Sequence, residues 1–181
     1  MNRDEFYESL CSINRKAFLM FERYSEDTEI FIETGCHEGN TCEKAAIAGY
    51  KHIYSCDINQ DFVKSSKQKM KKYANTCTAD IRHQNSEDFF RDVLPTLDKK
   101  ATFWLDAHGW GGGMPTYSEL NLINELCSVR DNNILVDDIQ LFFKHDISTL
   151  KNMILKINPN YKFEFVTLHG DGLDNVLMAY V

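Results

Sequence analysis

Three aspartates stand where short apolar runs stop. Phe103-Trp104-Leu105 leads into Asp106-Ala107-His108, and Ile134-Leu135-Val136 leads into Asp137-Asp138. If both runs are neighbouring strands of an open α/β sheet, their carboxyl ends form the rim where such sheets bind ligands. Asp106, Asp137 and Asp138 would then face one another. Three carboxylates in one place repel unless protons or a cation intervene. Hard oxygen donors of this kind suit Mg²⁺, or Mn²⁺ or Ca²⁺ in its place. The plainer alternative has Asp137 and Asp138 facing solvent or closing a local turn. His108 lies two residues beyond Asp106. A hydroxyl bound to a cation becomes more acidic, and an imidazole near neutral pKa can remove its proton. The same histidine could equally be a solvated neighbour of the site.

A second constellation lies upstream. The run Glu29 to Glu33 leads into Thr34-Gly35-Cys36-His37-Glu38-Gly39-Asn40-Thr41. Glycines at such a turn let the backbone reverse tightly and let a ligand approach it closely. The spacing is GxxxG, not the GxGxxG of dinucleotide sites, which disfavours a dehydrogenase. The next run ends in Ser55-Cys56-Asp57, and Asp57 lies 22 residues after Gly35. That is close to where an open α/β sheet places a carboxylate to hold a ribose diol. Capping of a helix that begins near Gln60 is the competing role for Asp57.

The elements that must position these residues alternate. Strand-like runs occupy Glu29 to Glu33, His52 to Cys56, Asp80 to His83, Thr102 to Leu105, Asn133 to Val136, Tyr161 to Thr167 and Asn175 to Val181. Helical patterns lie at roughly Thr41 to Gly49, Gln60 to Tyr73, Ser86 to Leu94, Thr116 to Val129 and Asp146 to Ile157. An amphipathic segment, about Asp4 to Tyr24, precedes them. Strand alternating with helix predicts a doubly wound, mostly parallel sheet with helices on both faces. The last two strands are joined by Leu168 to Asp174, too short for a crossover helix. A hairpin-like connection through Asp171-Gly172, and hence an antiparallel final strand, is expected there.

The glycine turn, the strand ending in Asp57, and Asn85-Ser86 after the third strand together resemble class I S-adenosylmethionine-dependent methyltransferases. The antiparallel final strand is similar too, and the resemblance runs from about Glu29 to Val181. It implies a Rossmann-like, seven-stranded α/β fold and S-adenosylmethionine as cofactor. It implies that Glu33, Gly35, Cys36, His37, Gly39, Asn40 and Thr41 lie along the methionine part. Asp57 would hold the ribose hydroxyls with Ile58 beside it, and Asn85 or Ser86 would meet the adenine edge. Many family members carry Asp where this chain has Asn85. Within the family, Asp106 and the Asp137-Asp138 pair resemble the metal-dependent O-methyltransferases of the catechol and sugar types. Those enzymes place an Asp after the fourth strand and an Asp-Asp or Asp-Asn pair after the fifth. The likeness implies Asp106, Asp137 and Asp138 as ligands of a divalent cation. Asp106 would also touch the cofactor, and His108 would stand where sugar enzymes often carry an acidic base. A sugar or glycan hydroxyl is the expected acceptor, with a catechol-like small molecule or a non-catalytic nucleoside-binding module as alternatives. The Asn/Asp-Pro-Pro-Tyr/Phe segment of base N-methyltransferases is absent, since the chain reads Leu105-Asp106-Ala107-His108 there.

Composition narrows the partners. The 181 residues suit one domain, 1–181, with the helical segment 1–27 contributing to the acceptor side. Acidic residues outnumber basic ones 27 to 20, a net charge of −7. That balance opposes bulk electrostatic binding of nucleic acid. No apolar run approaches the roughly 20 residues that span a bilayer. The six cysteines form no CxxC and have no zinc-finger spacing. Free thiols and a charged, polar N-terminus lead to the expectation of a cytoplasmic protein. Acceptor specificity is expected from the N-terminal helix, a loop over Trp110 to Tyr117 with its triglycine, and Ile139 to Lys144. A site this open leaves room for a partner subunit, as in a homodimer, or a large acceptor such as a glycan.

Overall fold

Successive side chains of a strand point to opposite faces, and this chain uses both faces at the centre of its sheet. The strands are β1 (Ile30–Thr34), β2 (His52–Asp57), β3 (Thr78–His83), β4 (Ala101–Leu105), β5 (Asn133–Val136), β6 (Lys162–Val166) and β7 (Val176–Tyr180). This computed structural model describes residues 2–108, 114–143, 146–167 and 176–181, apart from the side chains of 12–14. Every residue of β1, β4 and β5 is buried. Ile32, Phe103 and Ile134 face one core, with Phe89 of α5 (Ser86–Val93), Ile123 of α6 (Thr116–Leu126) and Ile154 of α8 (Ile147–Ile157). Their neighbours Phe31, Trp104 and Leu135 face a second core. There they meet Phe21 of α2 (Ser12–Ser25), Ala45 of α3 (Asn40–Ala48) and Val63 of α4 (Gln60–Met70). Phe21 packs edge-on against both Phe31 (5.1 Å) and Trp104 (5.2 Å).

The sheet order is β3-β2-β1-β4-β5-β7-β6. The first five strands are parallel, and β7 runs antiparallel between β5 and β6. The expected doubly wound sheet with a reversed last strand is therefore present. The hairpin expected over Leu168 to Asp174 lies outside the described residues. Among the described residues, no helix is long and apolar enough to cross a membrane.

Three local differences from the expected elements have physical causes. The N-terminal amphipathic segment is two helices, α1 (Arg3–Ser9) and α2, because Leu10 takes an extended conformation. A capping box starts α1: Asn2 accepts from the Glu5 amide, and Glu5 accepts from the Asn2 amide. A four-residue helix, α7 (Ile139–Phe142), follows Asp138, whose φ of 52° starts the turn. Four residues are too few for a helical period to be visible in sequence. The helix from Gln60 ends as α4 at Met70, followed by one tight turn over Lys71–Tyr73.

The order of strands reverses direction between β1 and β4, where one connection leaves toward each side of the sheet. There Gly35 has a φ of +86°, and a Cβ on it would lie 2.7 Å from the Asp106 carbonyl oxygen. We expect Gly35→Ala to lose about 1–3 kcal/mol in denaturant unfolding, through left-handed strain and this backbone clash.

A buried carboxylic acid marks the same region. Glu119 of α6 is fully buried. Burial pushes its carboxyl up from 4.5 to about 7, with Asp106 and Glu87 adding repulsion and the Ser86 and Thr34 hydroxyls opposing. A raised folded-state pKa contributes stability that is complete at low pH and fades as pH rises through the folded value. Stability should therefore fall between about pH 4.5 and about pH 7, by up to about 3 kcal/mol from this residue. Glu119→Gln should flatten that fall in melting temperature. A variant with the wild-type slope would show that Glu119 is not the group titrating.

Candidate cofactor cleft and cation site

The turn after β1 is tied to the end of β2 by the backbone. The amides of Gly35 and Cys36 both donate to the Cys56 carbonyl, at 3.0 and 2.9 Å. Gly39 then donates to the Cys36 carbonyl at 2.7 Å, closing the turn from which α3 starts. Gly39 is left-handed (φ +76°), and a Cβ there would lie 2.9 Å from the Ser66 Cα on α4. His37 is also left-handed, with a φ of 44°. Its amide donates to Asp57 Oδ2 at 2.9 Å, while the Asn59 amide donates to Asp57 Oδ1 at 2.8 Å. Asp57 therefore braces the turn rather than capping α4. That cap is Asn59, which accepts from the Asp61 amide.

Two adjoining cavities open over these strand ends. The larger, of about 780 Å³, is lined by Gly35, Cys36, His37, Asn40, Thr41, Asp57, Ile58, Asp106 and His108, among others. The smaller, of about 470 Å³, is lined by Asn85, Ser86, Gln84 and Ala107, among others. Gly35, Asp57, Ile58 and His108 line both. Ile58 is an apolar side chain left 72% exposed at that divide. Asn85 caps α5 by accepting from the Asp88 amide at 2.8 Å, so its side chain already has a structural partner. Gly39 lines neither cavity, and its role is to let α3 approach α4.

Glu33 departs from its expected place. It is 1% exposed and lines neither cavity. Its carboxylate accepts from Ser55 Oγ at 2.8 Å and Cys42 Sγ at 2.9 Å. Burial pushes it up to about 7, against the pull of those two donors. Its visible work is to join β1, β2 and α3 from below the turn.

The carboxylates after β4 and β5 do come together, with His108 between them. His108 Nε2 lies 3.0 Å from Asp106 Oδ1 and 2.8 Å from Asp138 Oδ2. Hydrogen bonds to Asp106 and Asp138 push the imidazole up to about 10, so it is charged at neutral pH in this arrangement. Trp104 Nε1 steadies Asp106 Oδ2 at 3.3 Å. Phe142 lies against the His108 ring, with centroids 4.9 Å apart. Among the described residues, the group that can close on one cation is Asp106, His108 and Asp138, whose donor atoms all lie within 4.8 Å of one another. Two carboxylates and an imidazole fit Mn²⁺ or Mg²⁺ in chemistry. Asp137, expected as a third ligand, instead turns Oδ1 back to the Asp138 amide at 2.8 Å. Burial and then the Asp106 charge push its carboxyl well above the usual carboxylate range.

Sequence reasoning did not single out six residues of the larger cavity: Phe6 and Leu10, on and just after α1, Glu43 and Lys44 of α3, and Asn59 and Phe62 at the start of α4. No spacing signal marks them, because they meet the cleft only through packing. The loop expected at the acceptor side lies outside the described residues at 109–113. Its flanking Tyr117 is accounted for by α6. The hydroxyl donates to Asp146 at 2.6 Å, and the ring packs on Phe143.

No protein-family model matches this chain, and no curated protein matches it in sequence. Solved structures match its fold. An O-methyltransferase from Bacillus cereus in complex with S-adenosylhomocysteine superposes with a TM-score of 0.67 at 11% identity, over 93% of this chain and 80% of that one. TomG from Streptomyces achromogenes, an O-methyltransferase of tomaymycin synthesis in complex with S-adenosylmethionine, gives 0.61 at 15% identity, over 92% and 79%. An rRNA methylase from Streptococcus thermophilus gives 0.62 at 10% identity, over 95% and 97%. This chain has the Rossmann-like fold of class I S-adenosylmethionine-dependent methyltransferases.

Proposed function

We propose that this protein is an S-adenosylmethionine-dependent O-methyltransferase that uses a divalent cation and methylates a hydroxyl of a sugar or glycan. The observation that carries the cofactor assignment is Asp57, a carboxylate braced by two backbone amides at the divide of two joined cavities. Each of its oxygens keeps acceptor capacity for a ribose hydroxyl. Ile58 supplies an exposed apolar surface for a base, with Asn85 and Ser86 on the far side. The larger cavity would take the amino-acid tail and, beyond it, the acceptor.

When bound, S-adenosylmethionine supplies an electrophilic methyl group to an in-line nucleophile, and a divalent cation acidifies and orients an acceptor hydroxyl. Asp106 and Asp138 would hold the cation, with His108 as the third donor or as the group that takes the acceptor proton. His108 carries its own proton between the two carboxylates in this arrangement, so it can act as a base only after that proton has left. Asp137 stands behind them as a further acidic group. Leu141 and Phe142 are exposed beside the cluster, and such an apolar face suits the flat side of a sugar ring.

Calorimetric titration with S-adenosylhomocysteine tests the cofactor. Wild type should bind, and Asp57→Ala should lose roughly tenfold or more in affinity, through loss of ligand hydrogen bonds and of the turn's brace. Unchanged affinity in the variant would remove Asp57 from the site. For the cation, methyl transfer should require added Mg²⁺ or Mn²⁺ and stop in chelator. The Asp106→Ala, Asp138→Ala double variant should lose at least about a hundredfold in turnover, the scale of a lost metal ligand set. Full activity in that double variant would eliminate the cation role. An acceptor screen over sugars and catechols separates the two hydroxyl classes.

A further inference from the structure

Lys44 is a charged side chain without an ion-pair partner among the described residues. It projects from α3, is only 9% exposed, and lines the larger cavity. Among the described residues its ammonium makes no hydrogen bond and no ion pair. The other lysines near α3 are spoken for: Lys69 and Lys72 both pair with Glu43. The aliphatic stem of Lys44 is packed away while the residue reaches the cavity wall, a placement that suits a charged head turned to the cavity. Burial lowers its pKa, while Glu33, Cys11, Asp137 and Asp106 oppose that and favour the ammonium. None of these carboxylates is close enough to be its partner. A cation that lines an open cavity is placed to meet an anion arriving with a ligand.

We propose that Lys44 binds a carboxylate of the ligand that fills the larger cavity. The inference rests on the functional reading above and deepens it. The lining carries both signs: Lys44, and the carboxylates of Glu43, Asp57 and Asp106. A dianionic phosphate would face that acidic rim, whereas an ammonium next to a carboxylate complements both signs at once. The amino-acid tail of the cofactor has this chemistry, and so does an acceptor that carries an acid group. Lys44 would act as a binding and orienting residue, holding the tail so that the methyl group faces Asp106, His108 and Asp138.

The test compares wild type with Lys44→Met, which keeps length and removes charge, and Lys44→Arg, which keeps charge. Each is titrated with S-adenosylhomocysteine and with methylthioadenosine, which has the same nucleoside but no amino-acid carboxylate. Melting temperatures confirm that the variants fold. If the cofactor tail is the partner, Lys44→Met loses roughly tenfold or more in affinity for S-adenosylhomocysteine. Methylthioadenosine binding is then unchanged, and Lys44→Arg retains most of the wild-type preference. If an acceptor acid is the partner, S-adenosylhomocysteine affinity is unchanged. The loaded wild type then prefers protocatechuate to catechol, and Lys44→Met abolishes that preference. Equal weakening of both nucleosides means that Lys44 only shapes the wall, and no change in any arm means that it binds nothing; either result overturns the proposal. A wild type that binds neither nucleoside removes the functional reading itself and this inference with it.

Discussion

The close approach of the β1 turn to the end of β4 is the constraint on which the site depends. A Cβ on Gly35 would come within 2.7 Å of the Asp106 carbonyl. Without that atom, the turn can fold down over the switch point and reach the Cys56 carbonyl with two amides. The same approach brings Asp57, His37 and Asp106 to one rim. The sheet order supplies the opening, and a missing side chain keeps it narrow enough to be a site.

Charge explains much of what surrounds that rim. Half-buried Asp106, Asp137 and Asp138 stand at the strand ends, with buried Glu33 and Glu119 beneath them. Burial raises the carboxyls of Glu33, Glu119 and Asp137, which is the usual way a protein tolerates such a density of acids. His108 between Asp106 and Asp138 is the local answer to their repulsion, and a cation would answer the same repulsion more fully. Lys44 is the opposite case, a positive charge on the cavity wall with no ion pair among the described residues. An acid-rich rim and the Lys44 ammonium line the same cavity.

The fold and the strand ends that line the cleft were legible in the residues themselves. Asp57 could be placed because it sits at the end of a strand whose period-2 pattern is visible, a countable distance after a glycine turn. Asp106 and Asp138 were legible for the same reason. Glu33 misled, since its position at a strand end matches a ligand contact, yet Ser55 and Cys42 hold it below the turn. Asp137 misled by one residue: neighbouring side chains at a strand end diverge, and the left-handed Asp138 turns one carboxylate toward His108 and the other back to its own backbone.

What the sequence determined by itself was therefore the order of elements, the reversed last strand, the glycine turn and the residues at the strand ends. All of these follow from local periodicity and from spacing along the chain. Only the tertiary structure decided which of the three aspartates shares His108, that Glu33 is an internal brace, and that Phe6, Leu10 and Lys44 wall the larger cavity. Those facts depend on side-chain directions and on helices packed across a sheet, between residues far apart in the chain. A lysine in a helix looks the same in sequence whether it faces water or a cavity, and the packing of α3 decides which.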